Sequence, residues 1–300
     1  MVRRDLLKAA VLTASAAGAA TAARGATHRR ASPPMIETRD GAQLFLRDWG
    51  SGPPVLFLHA WALTSQSWQY QMSALVEAGF RCIAFDRRGH GRSSDPGGGY
   101  DLATLADDVA DVVDALKLER FVLVGHSLGA AEAVTYLLRH GEARVRRLVL
   151  VAPTTPYLPR TADNPDGLDP QVTAFGQRAF RHDLPGIVGA NIKPFVVPET
   201  PASTIAWIET MFGQASLQAI IETQAAFSVA DFRAELPNLT VPTLVLQGDA
   251  DASAPLALTG VRTAALIPGA KLTVIKGAPH GLILTHVDEV NAALLEVVKV

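Results

Sequence analysis

The sequence predicts an α/β architecture, a mostly parallel sheet with helices on both faces and an inserted helical cap, on three observations. Its 300 residues, 48% of them apolar, are enough for one sizeable core. Short apolar runs alternate with helical patterns, as parallel strands joined by crossover helices require. About eighty residues, Thr155 to Leu236, then break that alternation with mainly helical patterns.

The elements follow in order. MIETR and QLFLRDW are strand patterns flanking Asp40-Gly41, a strong hairpin signal. PVLFLH (54–59), RCIAFD (81–86), FVLVG (121–125), RLVLV (147–151), PTLVLQGD (242–249) and KLTVIKG (271–277) read as apolar strands. Asp101 to Leu118 places Leu102, Leu105, Val109, Val112, Val113 and Leu116 on one helical face. Asp107, Asp108, Asp111 and Asp114 then read as its solvated face. Ala130 to Leu138 is rich in helix formers, and VDEVNAALLEVV forms the final helix. The cap carries Phe175, Phe180, Phe195, Trp207, Met211, Phe212 and Phe227. These build its own small core and turn some aromatic surface to the sheet's C-terminal edge, where open α/β sheets bind ligands. The expected division is an export signal at 1–26, core at 27–154 with a linker to Pro34, cap at 155–236, and core again at 237–300.

The formal net charge is -2 and no Lys/Arg stripe appears, which argues against nucleic acid and anionic membrane surfaces as partners. A small, largely uncharged ligand fits better, and a homo-oligomer is left open. Residues 1–26 open with Arg3-Arg4, continue through Leu6-Leu7 and run into Ala-rich sequence, the pattern of a twin-arginine export signal. So much Ala, Thr and Ser is a poor match to a spanning helix, so no stable membrane anchor is expected after cleavage. Cleavage near Ala22 to Ala26 would remove four basic residues and Asp5, taking the net from -2 to -5 and giving a periplasmic or extracellular protein. Cys82 is the sole cysteine, so no internal disulfide can form, and its strand-like surroundings suggest a buried, inert thiol.

The chemistry centres on Gly125-His126-Ser127-Leu128-Gly129, between a strand pattern and a helical one. A serine hydroxyl is a weak nucleophile and needs exposure, a base and donors for the oxyanion it creates. A nucleophile elbow supplies the exposure, because a strained strand-to-helix turn presents the serine and flanking glycines allow the tight packing. The base should be a histidine on a late loop. His280 in KGAPHGL fits, and His286 is its competitor, expected to be a solvated or capping residue. An orienting carboxylate should precede the histidine in the chain, and GDADASAP offers Asp249 and Asp251. Asp251 is favoured, with Asp249 bracing the turn. RLVLV runs into APTTP without a carboxylate, so an earlier acid position is empty. The oxyanion donors should be the Leu128 N–H and an N–H from the loop His59-Ala60-Trp61-Ala62. His126 reads as a packing residue, and Asp86 with Arg87 and Arg88 as a braced turn beside His90. His280 and His286 lack zinc spacing and Gly89-His90-Gly91 lacks a dinucleotide fingerprint, so no metal or cofactor is expected.

Taken together, LHAWALTSQSW, AFDRRGHGRSS, VGHSLG, QGDAD and GAPHGL resemble the α/β-hydrolase superfamily. More narrowly, DRRG, DNPDG (163–167), DFRAELP (231–237) and GAPHGL with its following Thr-His are similar to the cofactor-free haloperoxidase and arylesterase branch, from about Met35 to the end. The resemblance implies an α/β-hydrolase fold, Ser127 as nucleophile, Asp251 as acid, His280 as base, and the N–H groups of Trp61 and Leu128 as oxyanion hole. Two departures stand out: His59-Ala60 where relatives usually have His-Gly, and Ala62 where members that make peracids well tend to have proline. The expected activity is therefore mainly hydrolysis of small carboxylic esters, with peracid formation and halide oxidation as a side reaction. Rivals are a carbon-carbon bond hydrolase or lactonase on the same triad, and a ligand-binding protein without turnover. A serine at 127 instead of aspartate argues against dehalogenase and epoxide hydrolase chemistry, which need an alkyl-enzyme ester.

Overall fold

Strand alternation sorts the core before any helix is placed. In PVLFL, Val55 and Phe57 join one apolar cluster and Leu56 and Leu58 the other. Cys82 and Ala84 against Ile83 and Phe85, and Val122 and Val124 against Phe121 and Leu123, repeat the division. Strands apolar on both sides must be covered on both sides, and the computed structural model has that arrangement. It describes residues 35–299. The export segment expected at 1–26 and the whole linker to Pro34 therefore lie outside the described residues, as does the side chain of Phe175.

The strands are β1 (Met35–Glu37), β2 (Gln43–Trp49), β3 (Pro54–Leu58), β4 (Arg81–Phe85), β5 (Phe121–His126), β6 (Val145–Val151), β7 (Thr243–Gly248) and β8 (Lys271–Ile275). They form one sheet in the order β1-β2-β4-β3-β5-β6-β7-β8. The β1–β2 and β2–β4 pairings are antiparallel, the first closed at Asp40-Gly41, and the others are parallel. The helices are α1 (Gln69–Glu77), α2 (Leu102–Ala115), α3 (Leu128–His140), α4 (Pro170–Phe195), α5 (Ala202–Phe212), α6 (Leu217–Val229), α7 (Gly260–Leu266), α8 (Leu282–Thr285) and α9 (Val287–Lys299). Residues of α2 and α3 pack with one face of the sheet, and residues of α1, α8 and α9 with the other. Helices α4, α5 and α6 lie between β6 and β7 in the chain. Their Phe180, Ile192, Ile208 and Met211 join the α1 and α9 cluster. No helix of the described residues is long and apolar enough to cross a membrane.

Two expectations need correcting. The α2 carboxylates are not all solvated, because Asp108 is buried and takes Arg88 Nε at 2.7 Å and Nη2 at 2.5 Å. Arg88 also reaches Asp40 in the β1–β2 turn at 2.8 Å, so one guanidinium joins hairpin, loop and helix. The Asp86 turn is also built differently. Asp86 takes the Ser65 N–H at 2.8 Å and the Arg92 N–H at 2.9 Å, while Arg87 and Arg88 turn away into buried pairs of their own.

Candidate active site

The turn after β5 is built around its glycines. A Cβ on Gly125 would lie 2.2 Å from the Gly129 carbonyl oxygen, and one on Gly129 would lie 2.4 Å from that of Leu58. Without those side chains, β5 passes into α3 through a single residue, Ser127, held at φ 57° and ψ -115°. Serine at a helix start usually caps the first turn with its own hydroxyl. This one makes no such bond, and its Oγ lies 2.8 Å from His280 Nε2.

His280 stands in the loop between β8 and α8, and its Nδ1 is 2.8 Å from Asp251 Oδ2. Asp251 lies in the loop after β7, where its Oδ1 accepts from the N–H groups of Ser253 (3.0 Å) and Ala254 (2.8 Å) and its Oδ2 from Gln247 Nε2 (3.1 Å). Burial pushes the Asp251 carboxyl up, but the neighbouring His280 and these hydrogen bonds outweigh it, leaving it below the usual carboxylate range. The fold thus brings Ser127, His280 and Asp251 together from three loops at one sheet edge. It does not bring Asp249 or His286 there. Asp249 accepts from the Gly277 N–H at 2.5 Å, and His286 Nδ1 meets Thr285 Oγ1 at 3.0 Å.

Among the described residues, neither the Trp61 N–H nor the Leu128 N–H has an acceptor. Leu128 is the first residue of α3, where an N–H has no partner within the helix. The loop carrying Trp61 follows β3, and the close approach of Gly129 to the Leu58 and His59 carbonyls lays that loop against the start of α3. Aromatic rings of the cap close over it. Trp61 meets Phe180, Phe212 and Phe227 at centroid distances of 5.4, 6.1 and 6.5 Å, and its indole N–H donates to the Ile220 carbonyl at 2.9 Å. The Phe195 and His280 rings meet in a T-shaped arrangement at 5.8 Å, and the Phe195 carbonyl accepts from the Gly281 N–H.

Two residues of this site were not singled out from the sequence for the work they do. Gln247 is a buried glutamine after the apolar run Leu244-Val245-Leu246, and that anomaly was the available signal, because a buried amide needs partners. His126 Nε2 donates to the His280 backbone carbonyl at 2.9 Å. Burial and the neighbouring His280 push His126 down to about 3, so it is a neutral donor bracing the His280 loop.

Residues 53–185 match the sequence profile of the family described as alpha/beta hydrolase fold. A non-heme haloperoxidase from Rhodococcus erythropolis is 38% identical over 89% of this chain and 99% of its own length. The chain belongs to the α/β-hydrolase family. Within it, the haloperoxidase relatives define its branch. The structure of a bromoperoxidase from Bacillus anthracis superimposes with a TM-score of 0.86 at 34% identity, covering 89% of this chain and 99% of that one. A bifunctional esterase/perhydrolase from Acinetobacter calcoaceticus is 36% identical over 88% of this chain and 99% of its own. With such relatives this α/β-hydrolase is an enzyme. The DNPDG and DFRAELP segments of this α/β-hydrolase meet away from the serine. Asp163 pairs with Arg233 at 3.0 Å beside an open groove of about 300 Å³ that none of Ser127, Asp251 or His280 lines. Arg233 and Arg262 there are already paired, with Asp231 and Asp166.

Proposed function

We propose that this enzyme hydrolyses small carboxylic esters through an acyl-enzyme on Ser127. The observation that carries the reading is the Ser127–His280–Asp251 alignment, two contacts of 2.8 Å in series ending at a serine held at positive φ. His280 takes the Ser127 proton as Oγ attacks the ester carbonyl, and the carbonyl oxygen becomes an oxyanion facing the N–H groups of Trp61 and Leu128. His280 returns the proton to the leaving alcohol. Water then attacks the acyl-enzyme by the same route and frees the acid. Asp251 keeps the His280 proton on Nδ1 and stabilises the ring when charged.

Hydrogen peroxide in place of water gives a peracid and regenerates Ser127; the peracid then oxidises halide and becomes the carboxylic acid. Hydrolysis is the main activity on this reading. Ala62 stands at φ 57°, a conformation that proline, fixed near -65°, cannot adopt. The apolar cap rings favour neutral esters. Export by the twin-arginine route is part of the proposal, on Arg3-Arg4 and the Ala-rich segment after it; N-terminal sequencing of the secreted protein tests it.

The test is labelling with a fluorophosphonate alongside turnover of short-chain p-nitrophenyl and phenyl esters. Labelling and turnover that both vanish in Ser127→Ala are expected. An active Ser127→Ala protein would sink the mechanism, and a folded wild type with neither labelling nor turnover would favour a ligand-binding protein.

A further inference from the structure

Behind the Trp61 loop lies a buried polar chain that the mechanism does not use. Glu132, on α3, accepts from Arg87 Nε at 3.1 Å and Nη2 at 2.5 Å, and both side chains are buried. Arg87 Nη2 also donates to the His59 carbonyl at 2.8 Å, and the Arg87 backbone N–H donates to His59 Nε2 at 3.0 Å. An imidazole that accepts at Nε2 carries its proton on Nδ1 when neutral. Burial and the adjacent Arg87 hold this ring far below the usual histidine range, hence neutral. Its Nδ1–H therefore donates to the Ala60 carbonyl, 2.8 Å away, and the longer 3.3 Å approach of Arg87 Nη1 to the same nitrogen is a contact between two donors, not a hydrogen bond.

That carbonyl belongs to the peptide unit whose other end is the Trp61 N–H. A trans peptide is planar, with C=O and N–H pointing in opposite directions, so fixing the direction of one fixes the other. The Ala60 oxygen is held twice, by His59 Nδ1 and by the Leu63 N–H at 3.2 Å, which closes a tight turn through Ala62 at positive φ. We infer that His59 is a positioning residue, clamped by Arg87 and Glu132, which aims the Trp61 N–H at the developing oxyanion by holding the Ala60 carbonyl from behind. The inference rests on the reading of Ser127 as nucleophile for its catalytic consequence, and on the hydrogen bonds alone for the orientation of the peptide.

Two substitutions separate the two ring nitrogens. Asparagine can place an amide N–H near Nδ1 and keep the donor to Ala60; glutamine can place a carbonyl near Nε2 and keep only the acceptor for Arg87. The experiment compares His59→Asn, His59→Gln and wild type for p-nitrophenyl acetate kinetics and for affinity toward phenyl trifluoromethyl ketone, whose serine adduct carries an oxyanion. Selective 15N-tryptophan labelling gives four backbone amide signals, one per tryptophan, and Trp61→Phe identifies that of Trp61. His59→Gln should lower kcat by about 10² with KM within about twofold, weaken the ketone in proportion, and shift the Trp61 amide. His59→Asn should recover about tenfold of the loss and bring the amide signal back toward wild type. An unmoved Trp61 amide in His59→Gln would overturn the inference. So would kcat, KM and melting temperature worsening together, with asparagine no better than glutamine. A wild type without Ser127-dependent turnover would instead fail the hydrolase reading, and the amide shift would still decide whether His59 sets the peptide.

Discussion

The loops after β3, β4 and β5 and the cap helices α4 to α6 meet at Trp61 but are made of different materials. The loops hold buried polar groups: His59, Asp86, Arg87 and Arg88 hydrogen-bond to a neighbouring loop or helix, His90 to the Arg88 carbonyl of its own loop, and His126, at the end of β5, to the His280 loop. The cap meets the site with the rings of Phe180, Phe195, Phe212 and Phe227 and with the backbone carbonyls of Ile220 and Phe195. Directional bonds to buried partners fix atoms closely and tolerate little change. Ring packing fixes a surface and allows rearrangement. On the proposed mechanism, the rigid core would set where bonds form and break, and the more adaptable cap would select the molecule present when they do.

The largest losses are expected from changes in the core. Ser127→Ala should lower kcat by about 10⁶ with its fold intact, read by ester turnover and circular dichroism. Asp251→Asn should cost about 10⁴ in kcat, because the amide leaves His280 in the wrong tautomer; an unaltered rate would mean that another group orients the ring. Glu132→Ala strands a buried guanidinium and should destabilise by about 3–5 kcal/mol in urea unfolding, far more than an exposed pair such as Arg144–Asp114 would on losing a partner.

Cap changes should be milder and of another kind. Phe227→Ala should raise KM for an aryl ester by about 2- to 10-fold and leave kcat nearly unchanged, as expected for one lost aromatic contact. A fall in kcat with KM unchanged would show that the cap shapes the chemistry as well.

The last effect is a pH dependence of stability carried by buried rings. His90 and His126 are pushed down to about 3 by burial, and His59 also lies far below its ordinary value of 6.5. Below pH 6.5 the unfolded chain takes up protons at these residues that the folded chain refuses, so their contribution disfavours folding increasingly as pH falls from 6.5 toward 3. Melting temperature should fall over that window, and His126→Phe, which removes one such group, should flatten the slope. A melting temperature that rose as pH fell would contradict the neutral, buried state of these rings.

What was legible in the sequence was local. The glycines around Ser127, the β1–β2 turn and the alternating strands are short-range patterns whose meaning does not depend on distant partners. Asp108 and Arg88 are twenty residues apart, and no spacing rule places a carboxylate of α2 under the loop after β4. The exposed-face reading of Asp108 followed from composition and failed for that reason. His126 shows the same gap, because its donor role depends on the His280 loop, 154 residues later, returning to the neighbouring edge of the sheet. The acid was readable as a choice between Asp249 and Asp251. The backbone N–H groups of Ser253 and Ala254 that hold Asp251 emerge only from the folded loop.

Cys82 carries a practical consequence. The only thiol of the chain lies wholly inside β4, and burial pushes it up to about 12. At neutral pH the native protein is therefore chemically silent toward maleimides and similar reagents. A single cysteine introduced at the exposed Val229, at the end of α6, becomes the one addressable handle without removal of the native residue. A fluorophore there would register, molecule by molecule, whether α6 stays still or swings during each turnover.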